Sequence, residues 1–271
     1  LEEDLMRRDM LVDEVMRRGM ATVDTDRPIT HALRLMRKND VDGVVVIEDG
    51  KLVGVATYWD FMVRLGNLRV RSADPSSIYV SSVMNPPRAT LTPETPIVEA
   101  ARLVVEEGAY LMPVLEEGSV VGALEAKDLA KALLDEEVPA LNVSMKSPPT
   151  VNLSDRVIHA RKVMMDSGLR SLATLNEGAV VGVVNDDQIV EAYLNLIMTL
   201  PMERQKAQIR HLLIADVGPR HVKAHVESSL GGVAEVMVKN PVKGVPVVDE
   251  DRVLVGFVSV LDVARFVMAQ A

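Results

Sequence analysis

Four places in this chain bring together side chains that could hold a polyol or an anion. Thr57 and Asp60 lie three residues apart, and so do Ser259 and Asp262. At a helix start that spacing puts both groups on one face. The carboxylate can then accept hydrogen bonds from both hydroxyls of a ribose cis-diol. The unpaired N–H groups of the first helical turn beside it favour phosphate. The same residues also describe a helix cap, with Thr57 at the cap and Asp60 as the acidic member of a capping box. The two roles are compatible. The other two places are weaker. Glu125 precedes Asp128, and an extra carboxylate beside a ribose phosphate is repulsive, so Asp128 is kept as a weaker ribose ligand. Asn185 and Gln188 flank Asp186 and Asp187, and neutral amides hold a diol less strongly than a carboxylate.

These four places are copies of one string. Gly54-Val-Ala-Thr57-Tyr-Trp-Asp60 returns as Gly122 to Asp128, Gly182 to Gln188 and Gly256 to Asp262. A shift of 68 aligns repeat 1 (12–65) with repeat 2 (80–133) without a gap. A shift of 128 gives repeat 3 (140–193), and shifts of 201 to 202 give repeat 4 (214–267), with one extra residue near Asp251. A repeat of this period sets the fold before any local propensity does. Within each unit a short strand near Ala21-Thr22-Val23 leads to turn residues. A helix follows with apolar positions Ile29, Ala32/Leu33 and Met36, the stripe of a half-buried helix. Its counterparts are Ile97, Ala100/Ala101, Val104; Val157, Ala160, Met164; and Leu230, Val233/Ala234, Met237. An apolar strand, a turn such as Asp49-Gly50 and a second strand predict a hairpin, and a closing helix starts near Thr57. The unit is β-α-β-β-α. The joins are Gly66 to Tyr79, with Arg69, Arg71 and an Asp74-Pro75 turn; Leu134 to Pro139; and Leu194 to Leu213, a helix interrupted at Pro201. That last segment is either a docking element or a bridge between modules.

Composition narrows the function. The 48% hydrophobic fraction is globular, with only 3% aromatic residues. A net charge of −9 argues against a non-specific nucleic-acid or anionic-membrane binder. There is no cysteine, so no thiolate nucleophile or thiolate metal site. No run approaches a membrane span, Leu1-Glu-Glu-Asp is no signal peptide, and a cytoplasmic protein is expected. His221 and His225 are four apart, but in a strand-like segment, so no metal pair is assigned. With no phosphate loop and no Ser/His/Asp constellation, no catalytic residue is assigned, and the chain is not read as an enzyme.

The lead Val12-x-x-Val15-Met16, the Ile-x-x-Ala helix, the hairpins Met112-Pro113-Val114 and Val245-Pro246-Val247, and the Gly-x-x-[Ser/Thr]-x-x-Asp string resemble the cystathionine-β-synthase (CBS) domain family. The resemblance covers about residues 11–268. It implies α/β repeats paired into two modules, 11–133 and 140–268, packed as a disk, similar to the γ subunit of AMP-activated protein kinase and stand-alone archaeal proteins. It implies a regulatory, energy-sensing role with an adenosyl ligand: AMP, ADP, ATP or S-adenosylmethionine. No cofactor is required. By the same resemblance the base pocket is Met84, Pro87 and Ala89 for repeat 1, and Ser144, Ser147 and Pro149 for repeat 4. Arg170 and Lys243 match phosphate-contacting positions, unless they are solvated helix ends. In the first module these positions are Asp42 and Tyr110, with Arg88 near by, which leaves room for a phosphate-free or cationic ligand. With no effector domain recognised, the output is expected through a protein partner or a homodimer. A ligand-independent scaffold is the alternative.

Overall fold

The computed structural model describes residues 10–65 and 75–270. Arg69, Arg71 and Asp74 of the first join lie outside the described residues. Among the described residues four three-stranded sheets account for the strands. In repeat 1, β1 (Arg17–Arg18) leaves for another sheet, and β2 (Thr22–Asp24) runs parallel to β3 (Gly43–Glu48), which pairs antiparallel with β4 (Lys51–Thr57). Repeat 2 has the hairpin β5 (Leu111–Glu116) and β6 (Ser119–Glu125), joined by β1. Its first strand is reduced to one bridge, Leu91 to Val114. Repeat 3 has β7 (Thr150–Asn152), β8 (Ser171–Asn176) and β9 (Ala179–Asn185). Repeat 4 has β10 (Ala224–His225), β11 (Gly244–Val248) and β12 (Leu254–Ser259).

The longer helices are α1 (Ile29–Asn39), α2 (Tyr58–Leu65), α3 (Ile97–Glu107), α4 (Val157–Ser167), α5 (Asp186–Thr199), α6 (Met202–His211), α7 (Leu230–Lys239) and α8 (Val260–Met268). Every apolar position of the predicted stripe is buried: Ile29, Ala32, Leu33 and Met36 in α1, and their counterparts in α3, α4 and α7. Each larger side chain removed from water in this way contributes about 1.5–3 kcal/mol. Asp49-Gly50, Glu117-Gly118 and Glu177-Gly178 all take positive φ, as a two-residue hairpin turn of matching twist requires. In repeat 4 the extra residue widens this turn, and Asp249 Oδ1 closes it by accepting from the N–H groups of Asp251 and Val253. The closing segment of repeat 2, Ala126–Leu133, is a 3₁₀ helix rather than an α-helix. Pro201 separates α5 from α6, as its missing N–H and the restricted residue before it require.

Two compact units emerge, and they do not follow a single cut near residue 134. The first takes in residues 10–60, 76–134 and 260–270; the second takes in 61–65, 75 and 135–259. In the first unit α8 buries Val260, Val263, Ala264 and Val267, and it packs on α3 and the 126–133 helix. In the second, the Arg161 guanidinium donates to the carbonyls of Met62 (3.0 Å) and Val63 (3.3 Å) at the end of α2. Among the described residues no helix is long and apolar enough to cross a membrane.

Candidate functional site

In repeats 1 to 3 the glycine that opens the string is a point of close backbone approach, and at Gly256 the Ser144 side chain takes that space. Beside each glycine the lead segment of another repeat adds to the sheet edge. Val55 and Asn85 exchange backbone hydrogen bonds of 2.9 Å, Val183 pairs with Arg220 (2.9 and 2.8 Å), and Met145 with Phe257 (2.8 and 3.0 Å). Arg17 lies opposite Ala123. A Cβ on Gly122 would fall 2.5 Å from the Arg17 carbonyl oxygen, and one on Gly54 would fall 3.0 Å from that of Asn85. So the motif glycine holds the paired chain against the start of the closing helix.

In repeat 1 this brings three polar groups together. Thr57 ends β4 and is buried, while Asp60 is half-buried in the first turn of α2. Asp60 Oδ2 accepts from the Thr57 amide (2.8 Å) and from Thr57 Oγ1 (2.6 Å), and Oδ1 accepts from Asn85 Nδ2 (2.8 Å). The Asp60 half of the capping box is therefore realised, while the Thr57 hydroxyl donates to Asp60. Because the Thr57 hydroxyl donates to Asp60, its oxygen keeps lone pairs for an incoming donor, and Asp60 Oδ1 has one more to offer. Met84, Pro87 and Ala89 are half-buried, and the Met84 sulfur lies 3.1 Å from the Cβ position of Gly54. Arg88 donates to the Glu107 carbonyl at the end of α3 (2.7 Å).

Repeat 2 holds an ion network. Asp128 Oδ2 accepts from the Glu125 amide (3.0 Å), Lys131 sits 2.8 Å from Oδ1, and Arg17 Nε lies 3.7 Å from both Asp128 Oδ1 and Glu125 Oε2. Glu125 is fully buried, accepts from the Asp42 amide, and meets Lys127, which also meets Asp42 (3.3 Å each). Burial, helped by Asp42 and Asp128 and opposed by Lys127 and Arg17, pushes the Glu125 carboxyl up to about 7.

Repeat 3 is likewise engaged internally. Buried Asn185 accepts from Ser171 Oγ (2.6 Å) and donates to the Pro241 carbonyl (2.8 Å), and Gln188 Oε1 accepts from the Asn185 amide (3.0 Å). Arg220 grips Asp187 with both terminal nitrogens, one at 3.0 Å. Asp186 has no exposed surface, and burial raises its pKa against the pull of Lys243 and Arg170. Lys243 Nζ bonds Asp186 Oδ1, and Arg170 approaches Oδ2 at 3.7 Å. The two cations expected at phosphate, or else in solvent, thus converge on one buried carboxylate; Lys243 is only 4% exposed. Two acids in succession at a helix start, with basic residues at matching positions of two repeats, were the available signal.

In repeat 4, Ser144 is buried, its hydroxyl donates to the Leu141 carbonyl (3.1 Å), and it fills the space beside Gly256. Ser147 is exposed and Pro149 half-buried. Ser259 ends β12 and Asp262 is the third residue of α8; both are buried, and Arg265 lies 3.3 Å from Asp262. His221 Nδ1 meets the Val181 carbonyl (2.9 Å). Among the described residues no group of three or more His, Cys, Asp or Glu could hold a metal ion.

The CBS domain family profile matches residues 12–67, 80–135, 140–195 and 206–269. The chain belongs to the CBS domain family. Its repeats are thus CBS repeats, the fourth match opening earlier than the sequence repeat at 214. The chain is 23% identical to the uncharacterized protein MJ1404 of Methanocaldococcus jannaschii over 270 residues, 94% of this chain but 61% of that protein. It is 22% identical to MJ1225 of the same organism, over 91% of this chain and 95% of that protein. The crystal structure of MJ1225, described as a candidate archaeal homolog of γ-AMPK, aligns with a TM-score of 0.79 at 21% identity, covering 95% of this chain and 99% of that one. That likeness shows the CBS fold.

Proposed function

We propose that this CBS protein is a regulatory sensor of an adenosyl ligand. The observation that carries the reading is the acceptor set of repeat 1. The Thr57 oxygen and Asp60 Oδ1 keep acceptor capacity in a half-buried turn at a helix start, and a ribose diol supplies the matching donors. Met84, Pro87 and Ala89 would flank the base. Ser259 and Asp262 repeat the same residue types, with Ser144, Ser147 and Pro149 as the corresponding base pocket. AMP, ADP or ATP is the first ligand class, with phosphate drawn to the helix start; Arg170 and Lys243 are instead engaged by the buried Asp186 carboxylate. For repeat 1, one observation favours a phosphate-free ligand of the S-adenosylmethionine type. Arg88 is committed to the Glu107 carbonyl, and Asp42 stands where the second module has Arg170. The ligand state would pass to a protein partner or a second copy of this chain, in the cytoplasm, through unequal affinity for two arrangements.

A thermal-shift panel with AMP, ATP, S-adenosylmethionine and methylthioadenosine tests this. Ligand at 100 times its Kd stabilises by about 2.7 kcal/mol, a rise of roughly 5–10 °C for a chain of this size. No shift with any of them would favour the scaffold reading.

A further inference from the structure

The four clefts differ at one cross-strand position. Opposite the residue that follows the motif glycine stand Asn85 in repeat 1, Arg17 in repeat 2, Arg220 in repeat 3 and Met145 in repeat 4. In three of them the side chain points towards the same acceptor of the turn, by hydrogen bond from Asn85 and Arg220 and by ion-pair approach from Arg17. Asn85 donates to Asp60 at 2.8 Å; Arg17 Nε lies 3.7 Å from Asp128; Arg220 lies 3.4 Å from Gln188 while gripping Asp187. Among these three the outcome follows length and charge; in repeat 4, where Met145 stands, the Asp262 side chain is 9% exposed and meets Arg265 of its own helix instead. An asparagine ends at its one neutral hydrogen bond and leaves Asp60 half-buried. An arginine is longer and brings a charge: Arg220 takes both Asp187 oxygens, whereas Arg17, hydrogen-bonded to the Asp40 carbonyl (3.1 Å), adds its charge beside Asp128 without a direct hydrogen bond. The Asp128 side chain is only 2% exposed, and that of Asp187 14%.

We infer that this single position decides which clefts of the chain accept a ligand: Arg17 and Arg220 fill the clefts of repeats 2 and 3 from within, and Asn85 keeps that of repeat 1 open. Arg220 stands as an internal ligand of Asp187 beside Gln188, and Arg17 joins Lys131 in neutralising Asp128, so an Asp at the turn does not by itself make a binding site. The assignment rests on the adenosyl-sensor reading for the open cleft, but the internal pairing is measurable without any ligand.

Two experiments on the full chain test it. The first is a double-mutant cycle of Arg220→Ala and Asp187→Ala in urea unfolding. The pair should couple by tenfold or more in the unfolding constant; independent effects would overturn the inference whatever the chain binds. The second is titration calorimetry with AMP and with S-adenosylmethionine as probes. Asn85→Arg should weaken repeat 1 binding more than tenfold and lower the stoichiometry by one, with the circular dichroism spectrum unchanged. Arg17→Asn combined with Glu125→Thr, which rebuilds the repeat 1 set in repeat 2, should raise it by one. Wild-type affinity in Asn85→Arg would refute the inference. Absence of binding by the wild type would instead remove the sensor reading and leave the cycle to decide.

Discussion

Replacing Lys243 by Met removes a cation from a place where its partner cannot reach water. Asp186 has no exposed surface, Lys243 is 4% exposed, and Arg170 stands 3.7 Å away on the other carboxylate oxygen. Met preserves most of the Lys volume, so little of the effect should come from a cavity. Breaking one side of a buried ion pair typically costs about 3–5 kcal/mol. Because Arg170 stays, about 3 kcal/mol is expected, on the order of a hundredfold in the unfolding constant. The sign of the pH dependence follows from the carboxyl. Burial already raises the Asp186 pKa, and loss of Lys243 raises it further. The native variant can then escape the penalty by binding a proton, whereas the unfolded chain binds it only at lower pH. The deficit should thus be largest near pH 8 and shrink towards pH 5. Adding Asp186→Asn, which keeps the acceptor for the Asp187 amide (2.9 Å) but cannot ionise, should restore most of the loss and flatten the profile. Urea unfolding followed by circular dichroism at both pH values reads all of this. A deficit below about 1 kcal/mol, or one that does not change with pH, would refute the reasoning.

Other outcomes follow from the same structure. Glu125 keeps its proton up to about pH 7 in the fold but only to the ordinary carboxylate range when unfolded, so it costs stability as pH rises through that window. Glu125→Gln should therefore be more stable than wild type at pH 8 by roughly 2–3 kcal/mol, the gap closing near pH 5 in chemical unfolding. Gly122→Ala would set a Cβ 2.5 Å from the Arg17 carbonyl oxygen. The obstacle is backbone rather than a flexible side-chain end, so a loss of about 1–3 kcal/mol is expected, seen as a lower melting temperature.

The repeat, the helix stripe and the hairpins were legible because each is a local pattern copied four times. Ile29 and Met36 announce their burial by spacing alone, and Asp49-Gly50 its turn by residue type. The cleft chemistry was half legible. Thr57 and Asp60 could be found, since both partners lie within one string. Asn85, Arg17 and Arg220 could not, because each acts on a string in a different repeat. Aligning the repeats compares like with like and never sets residue 17 against residue 128. Asp186 was passed over for a similar reason: its burial depends on Lys243 and Arg170, both distant in sequence. The shift of Ala126–Leu133 to a 3₁₀ helix and the placement of 260–270 with the first unit likewise depend on packing that no local pattern encodes.

The most direct test of the sensor reading is titration calorimetry of wild type and Asp60→Ala with AMP and with S-adenosylmethionine. Saturable binding that loses one site in Asp60→Ala, with the melting temperature of the unliganded variant within a few degrees of wild type, is the predicted result. Equal binding by both proteins would place the ligand elsewhere, and no binding by wild type would contradict the adenosyl assignment itself.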